Sequence, residues 1–196
     1  MVVSAAGVRM RHVIVLNMGT ASAQQLERPP LPYSHWGACP FECCTYQEWT
    51  ANAPLKTYKA RNPKAAVAFE VKKGDRVLGV TGVVVTTKYG VSKVLKPIEA
   101  GFRENDAKPQ LSLRPGELLY TLHYLGEGID LFWYKGHVYS DSVAGPEPDP
   151  DPPSADLDIQ TLSVATYDWW VKIRNSKGQL GWSQDTKKFD HIDACE

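Results

Sequence analysis

Three of the four cysteines and one histidine lie within ten residues, in the segment HWGACPFECC. His35, Cys39 and Cys43 follow one another at intervals of four residues, and Cys44 comes directly after them. On one continuous helix this spacing would align soft ligands for a metal ion such as zinc. Pro40 opposes that geometry, because a helix beginning near Cys39 would leave His35 off the shared face. A thiol-based metal or redox site built from these four ligands is therefore the alternative hypothesis.

The same cysteines can instead form disulfides. The chain has an even number of cysteines, and the fourth, Cys195, lies near its end. Adjacent cysteines such as Cys43 and Cys44 seldom bond to each other, so we expect Cys39 to pair with one of them and Cys195 with the other. The bridge to Cys195 would tie the cysteine-containing block to the far end of the fold.

The choice between these two chemistries depends on the cellular compartment, and the first thirty residues bear on it. Arg9 and Arg11 precede a short apolar stretch at residues 13–16, and the small residues ASA follow at 21–23. This order is the outline of a secretory signal with an A-x-A cleavage site. We therefore predict a signal peptide and flexible leader at residues 1–30 and a periplasmic or secreted protein, in which cysteines form disulfides. The alternative is a leader that stays on a cytosolic protein.

Composition and motifs argue against several classes of function. The chain has 22 basic and 22 acidic residues and no net charge, so no overall field attracts nucleic acid. No apolar run reaches the roughly eighteen residues that a membrane-spanning helix needs. The sequence also lacks a phosphate-binding glycine loop, a nucleophile elbow and an H-E-x-x-H helix. We expect a non-enzymatic protein with no cofactor, no nucleic-acid partner and no membrane span; the sequence leaves its oligomeric state and its ligand open.

From Pro54 onward the apolar residues have the periodicity of β-strands, which predicts an all-β fold. The segments FEVKKGDRVLGVTG and LSLRPGELLYTLHY repeat one pattern at an offset of 42 residues, which aligns Gly74 with Gly116 and Asp75 with Glu117. An apolar residue, a basic residue, glycine, an acidic residue and then a β-run predict two copies of one small unit. Each copy turns at its glycine into a long strand.

Two hairpins and one loop are predicted further along the chain. IDLFWYKGHVYS alternates apolar and polar residues around a Lys-Gly turn. Acidic residues and prolines dominate residues 145–158, which predicts a solvated, semi-extended loop. The segment WWVKIRNSKGQLGWS then predicts a hairpin with one aromatic and apolar face, while its other face carries cationic and indole groups.

The closing hairpin WWVKIRNSKGQLGWSQ, preceded by LRPGELLYTLHYLGEGIDLFWYKG, resembles the bacterial SH3-like (SH3b) domains of exported proteins. Their closing strands run as Trp, basic and apolar residues, a glycine turn and then Gly-Trp. The resemblance is good over residues 111–185 and weaker over 54–97. It implies two small SH3-like β-barrels in tandem, at residues 54–100 and 108–190, after a cysteine-containing N-terminal block at 31–53.

Domains of this kind serve as binding or targeting modules for cell-wall peptide or partner proteins, and they bind through aromatic grooves. The resemblance therefore implies a set of aromatic binding residues: Trp133, Tyr134, Trp169, Trp170 and Trp182. Since Trp169 and Trp170 are neighbours on a strand, they point to opposite faces, and at least one is exposed or covered by the N-terminal block. The predicted function is that of an exported, non-enzymatic binding module of the cell envelope, for a cell-wall peptide or a protein partner.

Overall fold

A computed structural model of the chain describes residues 27–103 and 106–195. Within these ranges the regular structure is β-sheet apart from one short 3-10 helix, Thr186–Lys188, so the prediction of an all-β protein is confirmed. The strands are β1 (Tyr33–Trp36), β2 (Glu48–Ala51), β3 (Leu55–Tyr58), β4 (Val67–Val71), β5 (Arg76–Lys88), β6 (Val91–Val94), β7 (Ile98–Ala100), β8 (Leu111–Leu113), β9 (Leu118–Gly126), β10 (Ile129–Tyr134), β11 (His137–Asp141), β12 (Ile159–Ser163), β13 (Thr166–Arg174), β14 (Leu180–Ser183) and β15 (Phe189–Asp190).

Residues 1–26 of the predicted signal peptide and leader lie outside the described ranges. No helix in the described part of the chain has the length and apolar character to cross a membrane.

The strands form two curled antiparallel sheets and one separate pair. The larger sheet has the order β15-β2-β5-β13-β14-β3-β4, and β1 also pairs with β5. The second sheet has the order β11-β10-β9-β6-β12, and β7 pairs with β8. The long strand β5 is rich in valine and threonine, whose branched side chains favour extended backbone, and it carries partners along both edges.

The predicted repeat has the same turn in both copies. Gly74 and Gly116 both have positive φ angles, +87° and +92°, which other residues adopt only under strain. The Asp75 carboxylate accepts a hydrogen bond of 2.8 Å from the backbone N–H three residues earlier, and the Glu117 carboxylate does the same at 2.8 Å. The acidic residue after each glycine therefore closes the turn that leads into the long strand.

Strand pairing extends the repeat beyond these turns. In one unit β5 pairs with β2 and with the β13–β14 hairpin, and β15 closes against β2. In the other, β9 pairs with β6 and with the β10–β11 hairpin, and β12 closes against β6. The first set, residues 48–88 and 166–190, is called the outer unit. The second, residues 91–163, is called the inserted unit because the chain enters it after β5 and leaves it before β13.

This arrangement differs from the predicted division into units at residues 54–100 and 108–190. Strands β6 to β8 belong to the inserted unit, whereas β13 to β15 return to the outer one. Hairpin and turn signals in a sequence are local, so they show where strands lie without showing which distant strand each one joins. The assignment of each unit to an SH3-like barrel stays a prediction.

Each unit has its own core. In the outer unit the indole of Trp49 is fully buried and packs with Trp169, Val171 and Ile173. In the inserted unit the fully buried side chains include Phe132, and residues such as Leu113 and Leu119 pack with it.

Candidate functional site

The cysteine-rich block is a disulfide clasp. Cys39 bonds to Cys44, and Cys43 bonds to Cys195, with Cα–Cα distances of 6.1 and 5.7 Å. The sequence left open which of Cys43 and Cys44 pairs with Cys195, and the structure assigns that bond to Cys43. A β-bridge between Cys44 and Asp193 lies beside the second disulfide, so backbone and covalent links together join the N-terminal block to the end of the chain.

The alternative site built from His35, Cys39, Cys43 and Cys44 is not assembled in this form of the protein. All four sulfurs are bonded in pairs, so none of them is a thiolate ligand. The Nδ1 atom of His35 lies 2.9 Å from Nε2 of His123, a residue of the inserted unit. A metal site at the predicted residues would therefore require reduction of both bridges.

Two of the predicted binding residues, Trp169 and Trp170, are buried, with exposed fractions of 9% and 5%. Phe41 packs against the Trp169 ring edge-to-face at 5.4 Å, and the Trp169 indole N–H donates to the Tyr46 hydroxyl at 3.3 Å. The N-terminal block thus covers Trp169, which is one of the two outcomes expected for this pair. Both indoles stabilise the fold and neither is accessible to a ligand.

Tyr134 and Trp133 lie in the β10–β11 hairpin, and Tyr134 belongs to a structural hydrogen-bond cluster. Its hydroxyl donates to Glu117 Oε1 at 2.6 Å, and the Lys135 ammonium lies 2.8 Å from the same oxygen. The hydrogen bond from Lys135, followed by those from Tyr134 and the Arg114 backbone N–H, lowers the pKa of Glu117 to about 2. Trp133 is half-buried on the same strand and lies opposite Val138. Tyr134 thereby fixes the turn that Glu117 closes.

Trp182 is the predicted residue that contributes to an open surface. It is half-buried on β14, and its ring centroid lies 6.1 Å from that of Trp36, edge-to-face. The Trp36 side chain is 56% exposed. The Arg61 guanidinium lies 4.6 Å from the Trp36 ring centroid and 5.9 Å from that of Trp182, and the Lys172 ammonium lies 5.6 Å from the latter. We call Trp36, Arg61, Lys172 and Trp182 the aromatic-cationic patch.

Sheet register brings the members of this patch together. Lys172 on β13 lies directly opposite Trp182 on β14, so their side chains share one face. Trp182 in turn lies opposite Tyr58, the last residue of β3, and Arg61 follows in the β3–β4 connection. Trp36 lies on β1, which pairs with β5 along the edge of β5 opposite to β13.

The patch carries positive charge that no carboxylate of the described chain neutralises. Neither Arg61 nor Lys172 has an acidic partner within ion-pair distance among residues 27–103 and 106–195. A guanidinium held over an indole face can still offer its N–H groups to a carboxylate. The exposed indole of Trp36 and the half-buried indole of Trp182 supply flat apolar area next to those donors. Chemically, the patch can bind an extended ligand that carries carboxylates.

Sequence reasoning located part of this patch. The face of the closing hairpin that carries cationic and indole groups includes Lys172, and Trp182 was a predicted binding residue. Trp36 and Arg61 were missed, because both lie outside the segments with clear strand periodicity. The signal for Trp36 was its place beside the cysteine cluster, since the clasp anchors β1 against the outer unit.

A second group of chemistry-bearing residues lies in the inserted unit and was not predicted as a site. The buried Asp130 and His123 lie near Tyr167 of β13, at one pocket. Burial lowers the pKa of His123 to about 4 and raises the pKa of Asp130 to about 6.

Comparison of the chain with protein-family models, with curated proteins and with solved structures gives no match.

Proposed function

We propose that the protein is an exported, non-enzymatic binding module in which one SH3-like barrel is inserted into another. In this proposal the aromatic-cationic patch on the outer unit binds the carboxylate-bearing peptide of the cell wall. The repeated unit, the disulfide clasp and the composition of the patch each support one part of the proposal.

The repeat supports the proposal for the fold. Two units with the same turn, the same flanking hairpin and the same closing strand are what a pair of small barrels of one family requires. The Gly-Trp segment that carries the family resemblance is Gly181-Trp182, and Trp182 is itself a member of the patch.

The disulfides support export. Structural disulfides are common in exported proteins and rare in reducing compartments. Both bridges lie in the segment that joins the N-terminal block to the chain end, and no described cysteine is left unpaired. This agrees with the signal peptide predicted at residues 1–30.

The single observation that carries the binding proposal is the exposure of Trp36 in a patch whose two cations, Arg61 over Trp36 and Lys172 over Trp182, have no acidic partner among the described residues. A tryptophan that leaves 56% of its side chain in water forgoes much of the stabilisation that burial would provide. Exposed aromatic groups flanked by arginine are typical of binding hot spots. Cell-wall peptides are short and extended and carry free carboxylates, which match the charge of Arg61 and Lys172. An acidic segment of a partner protein offers the same chemistry and is the competing ligand.

The proposal is tested by titrating the disulfide-bonded protein with a tetrapeptide released from peptidoglycan, in parallel with the same peptide amidated at its carboxylates. We expect Trp36→Ala and Trp182→Ala each to weaken binding about thirtyfold or more, since hot-spot aromatic truncations cost about 2 kcal/mol or more. Leu162→Ala is the matched control, because Leu162 is an exposed apolar residue, 44% accessible, on the inserted unit. Equal affinity for both peptides, or equal affinity of all three variants, would contradict the proposal.

A further inference from the structure

A pocket of about 540 Å³ lies where the inserted unit meets the start of β13. Its size falls in the range of pockets that hold small molecules. The side chains that matter for its chemistry are Thr121, His123, Tyr124, Asp130 and Tyr167. None of these residues belongs to the aromatic-cationic patch, so the pocket is a separate feature of the fold.

Asp130 is a buried carboxylate without a cationic partner. Its side chain is 6% exposed, and Oδ2 accepts a hydrogen bond of 3.2 Å from the backbone N–H of Ala144. No lysine or arginine lines the pocket, and none forms an ion pair with Asp130 in the described part of the chain. Burying a carboxylate in this way is costly unless a positive charge accompanies it. The carboxylate is therefore complementary to a cation that residues 27–103 and 106–195 do not supply.

The walls of the pocket are aromatic and uncharged. The Tyr167 ring lies 5.8 Å from that of His123, edge-to-face, and Tyr124 completes the aromatic wall. Burial raises the pKa of the Tyr167 hydroxyl, and both Tyr167 and Asp130 line the pocket. His123 is neutral at physiological pH because burial lowers its pKa, so no positive charge competes with a cationic ligand. Aromatic faces attract cations.

We propose that this pocket binds a small amphipathic amine in its ammonium form. The ammonium group donates hydrogen bonds to the Asp130 carboxylate, and the apolar body packs against Tyr124 and Tyr167. The site goes beyond the binding of cell-wall peptide at the outer unit, and neither proposal depends on the other.

The test compares three probes with one apolar body and different polar ends: 2-phenylethylamine, 2-phenylethanol and phenylacetate. Each is titrated into the disulfide-bonded, isotope-labelled protein at pH 7.5, and amide and carboxyl chemical shifts are followed by NMR. We expect 2-phenylethylamine to perturb Thr121, Tyr124 and Asp130 at lower concentration than 2-phenylethanol, and phenylacetate to leave them unchanged. Equal response to amine and carboxylate, or no response to the amine at millimolar concentration, would overturn the proposal.

One variant and a matched control test the role of the carboxylate. Asp130→Asn keeps the side-chain shape and removes the charge, and we expect it to weaken amine binding about tenfold or more. Asp168→Asn is the control, because Asp168 is an exposed carboxylate one residue from Tyr167. Unchanged amine binding in Asp130→Asn would refute the site.

A readout on the unaltered protein keeps the proposal falsifiable if a variant folds poorly. The carboxyl carbon of Asp130 is titrated with pH, with and without saturating 2-phenylethylamine. The titratable side chains that line the pocket are Asp130, His123, Tyr124 and Tyr167. A bound ammonium favours the carboxylate, so the midpoint for Asp130 should move to lower pH. An unmoved midpoint would show that the amine does not bind there.

Discussion

The two disulfides should stabilise the protein very unequally, because they close loops of very different length. Cys43–Cys195 spans 152 residues and Cys39–Cys44 spans 5. In the chain-entropy model, the long loop contributes about 5 kcal/mol to the free energy of unfolding, and the short loop contributes about 2 kcal/mol. Removing the long-range bridge should therefore cost about 3 kcal/mol more than removing the local one.

Side-chain packing reduces the expected difference in stabilisation between the two disulfides but does not reverse it. Cys39 and Cys44 are half-buried and pack against the core of the outer unit, so truncating them also loses apolar contacts. In the long bridge Cys195 is exposed, and Cys43 is half-buried without being part of that core cluster, so this pair loses fewer apolar contacts. Allowing about 1 kcal/mol for the lost contacts of the short bridge leaves an expected difference of about 2 kcal/mol.

The assay is urea unfolding, followed by tryptophan fluorescence without reductant, of two double variants. Cys43→Ala with Cys195→Ala removes the long bridge, and Cys39→Ala with Cys44→Ala removes the short one. Each variant keeps one pair of cysteines, so the bridges cannot be exchanged. We expect the unfolding midpoint of the first variant to be clearly lower than that of the second. Equal midpoints, or a lower midpoint for the second variant, would refute the view that the clasp acts by tying the chain ends together.

Three further predictions concern stability. The folded pKa of Glu117, about 2, lies below its unfolded value, so the free energy of unfolding should fall as the pH is lowered from 4.5 to 2 and Glu117 takes up a proton. Glu117→Gln should flatten this part of the pH profile, as measured by thermal unfolding. The pKa of Asp130 is raised in the folded state, so the ionised carboxylate destabilises the fold; Asp130→Asn should therefore be more stable than the parent above pH 6 and not below pH 4. An equal change in the free energy of unfolding at pH 3 and pH 7.5, measured in urea, would contradict this. Gly79→Ala should lower the free energy of unfolding by about 1–3 kcal/mol, because an added Cβ would lie 2.6 Å from the buried Trp49 ring. Gly145→Ala is the control, because the atom nearest to its added Cβ would be 3.4 Å away, and we expect little change in its unfolding midpoint.

Much of the secondary structure could be predicted from the sequence because strands and turns leave local signals. The run from Arg76 to Lys88 is dense in β-branched residues and forms one strand, β5. The Lys135-Gly136 turn has positive φ at both residues, as a tight hairpin turn requires. Gly74 and Gly116 marked the repeated turn through the same need for a left-handed backbone.

The topology could not be predicted because it depends on long-range pairing. Nothing local indicates that β13 joins β5 across an insertion of more than seventy residues, since an inserted unit with its own core looks like a following domain. Whether each tryptophan is buried or exposed could not be predicted for the same reason. Trp169 is covered by Phe41 from a distant segment, whereas Trp36, next to the clasp, is left exposed.

The site residues also divide into those with a local sequence signal and those that depend on long-range contacts. Trp182 was predicted because its hairpin carries a sequence pattern. Arg61, Thr121 and Asp130 could not be predicted as site residues, because the residues that surround them are remote in sequence. A lone polar residue on a strand is usually a packing or surface position. For the cysteines, the sequence reduced the pairing to two schemes, and the structure selects the one in which Cys43 bonds to Cys195.

The most direct measurement is an NMR titration of the disulfide-bonded protein with the peptidoglycan tetrapeptide, which follows the indole N–H signals. Trp36 and Trp182 lie in the aromatic-cationic patch, while Trp49 is fully buried and its indole N–H donates to the Thr45 carbonyl at 3.0 Å. If the patch binds the peptide, the signals of Trp36 and Trp182 shift and saturate together while that of Trp49 stays in place. Signals of Trp36 and Trp182 that do not move at millimolar peptide would contradict the proposed function.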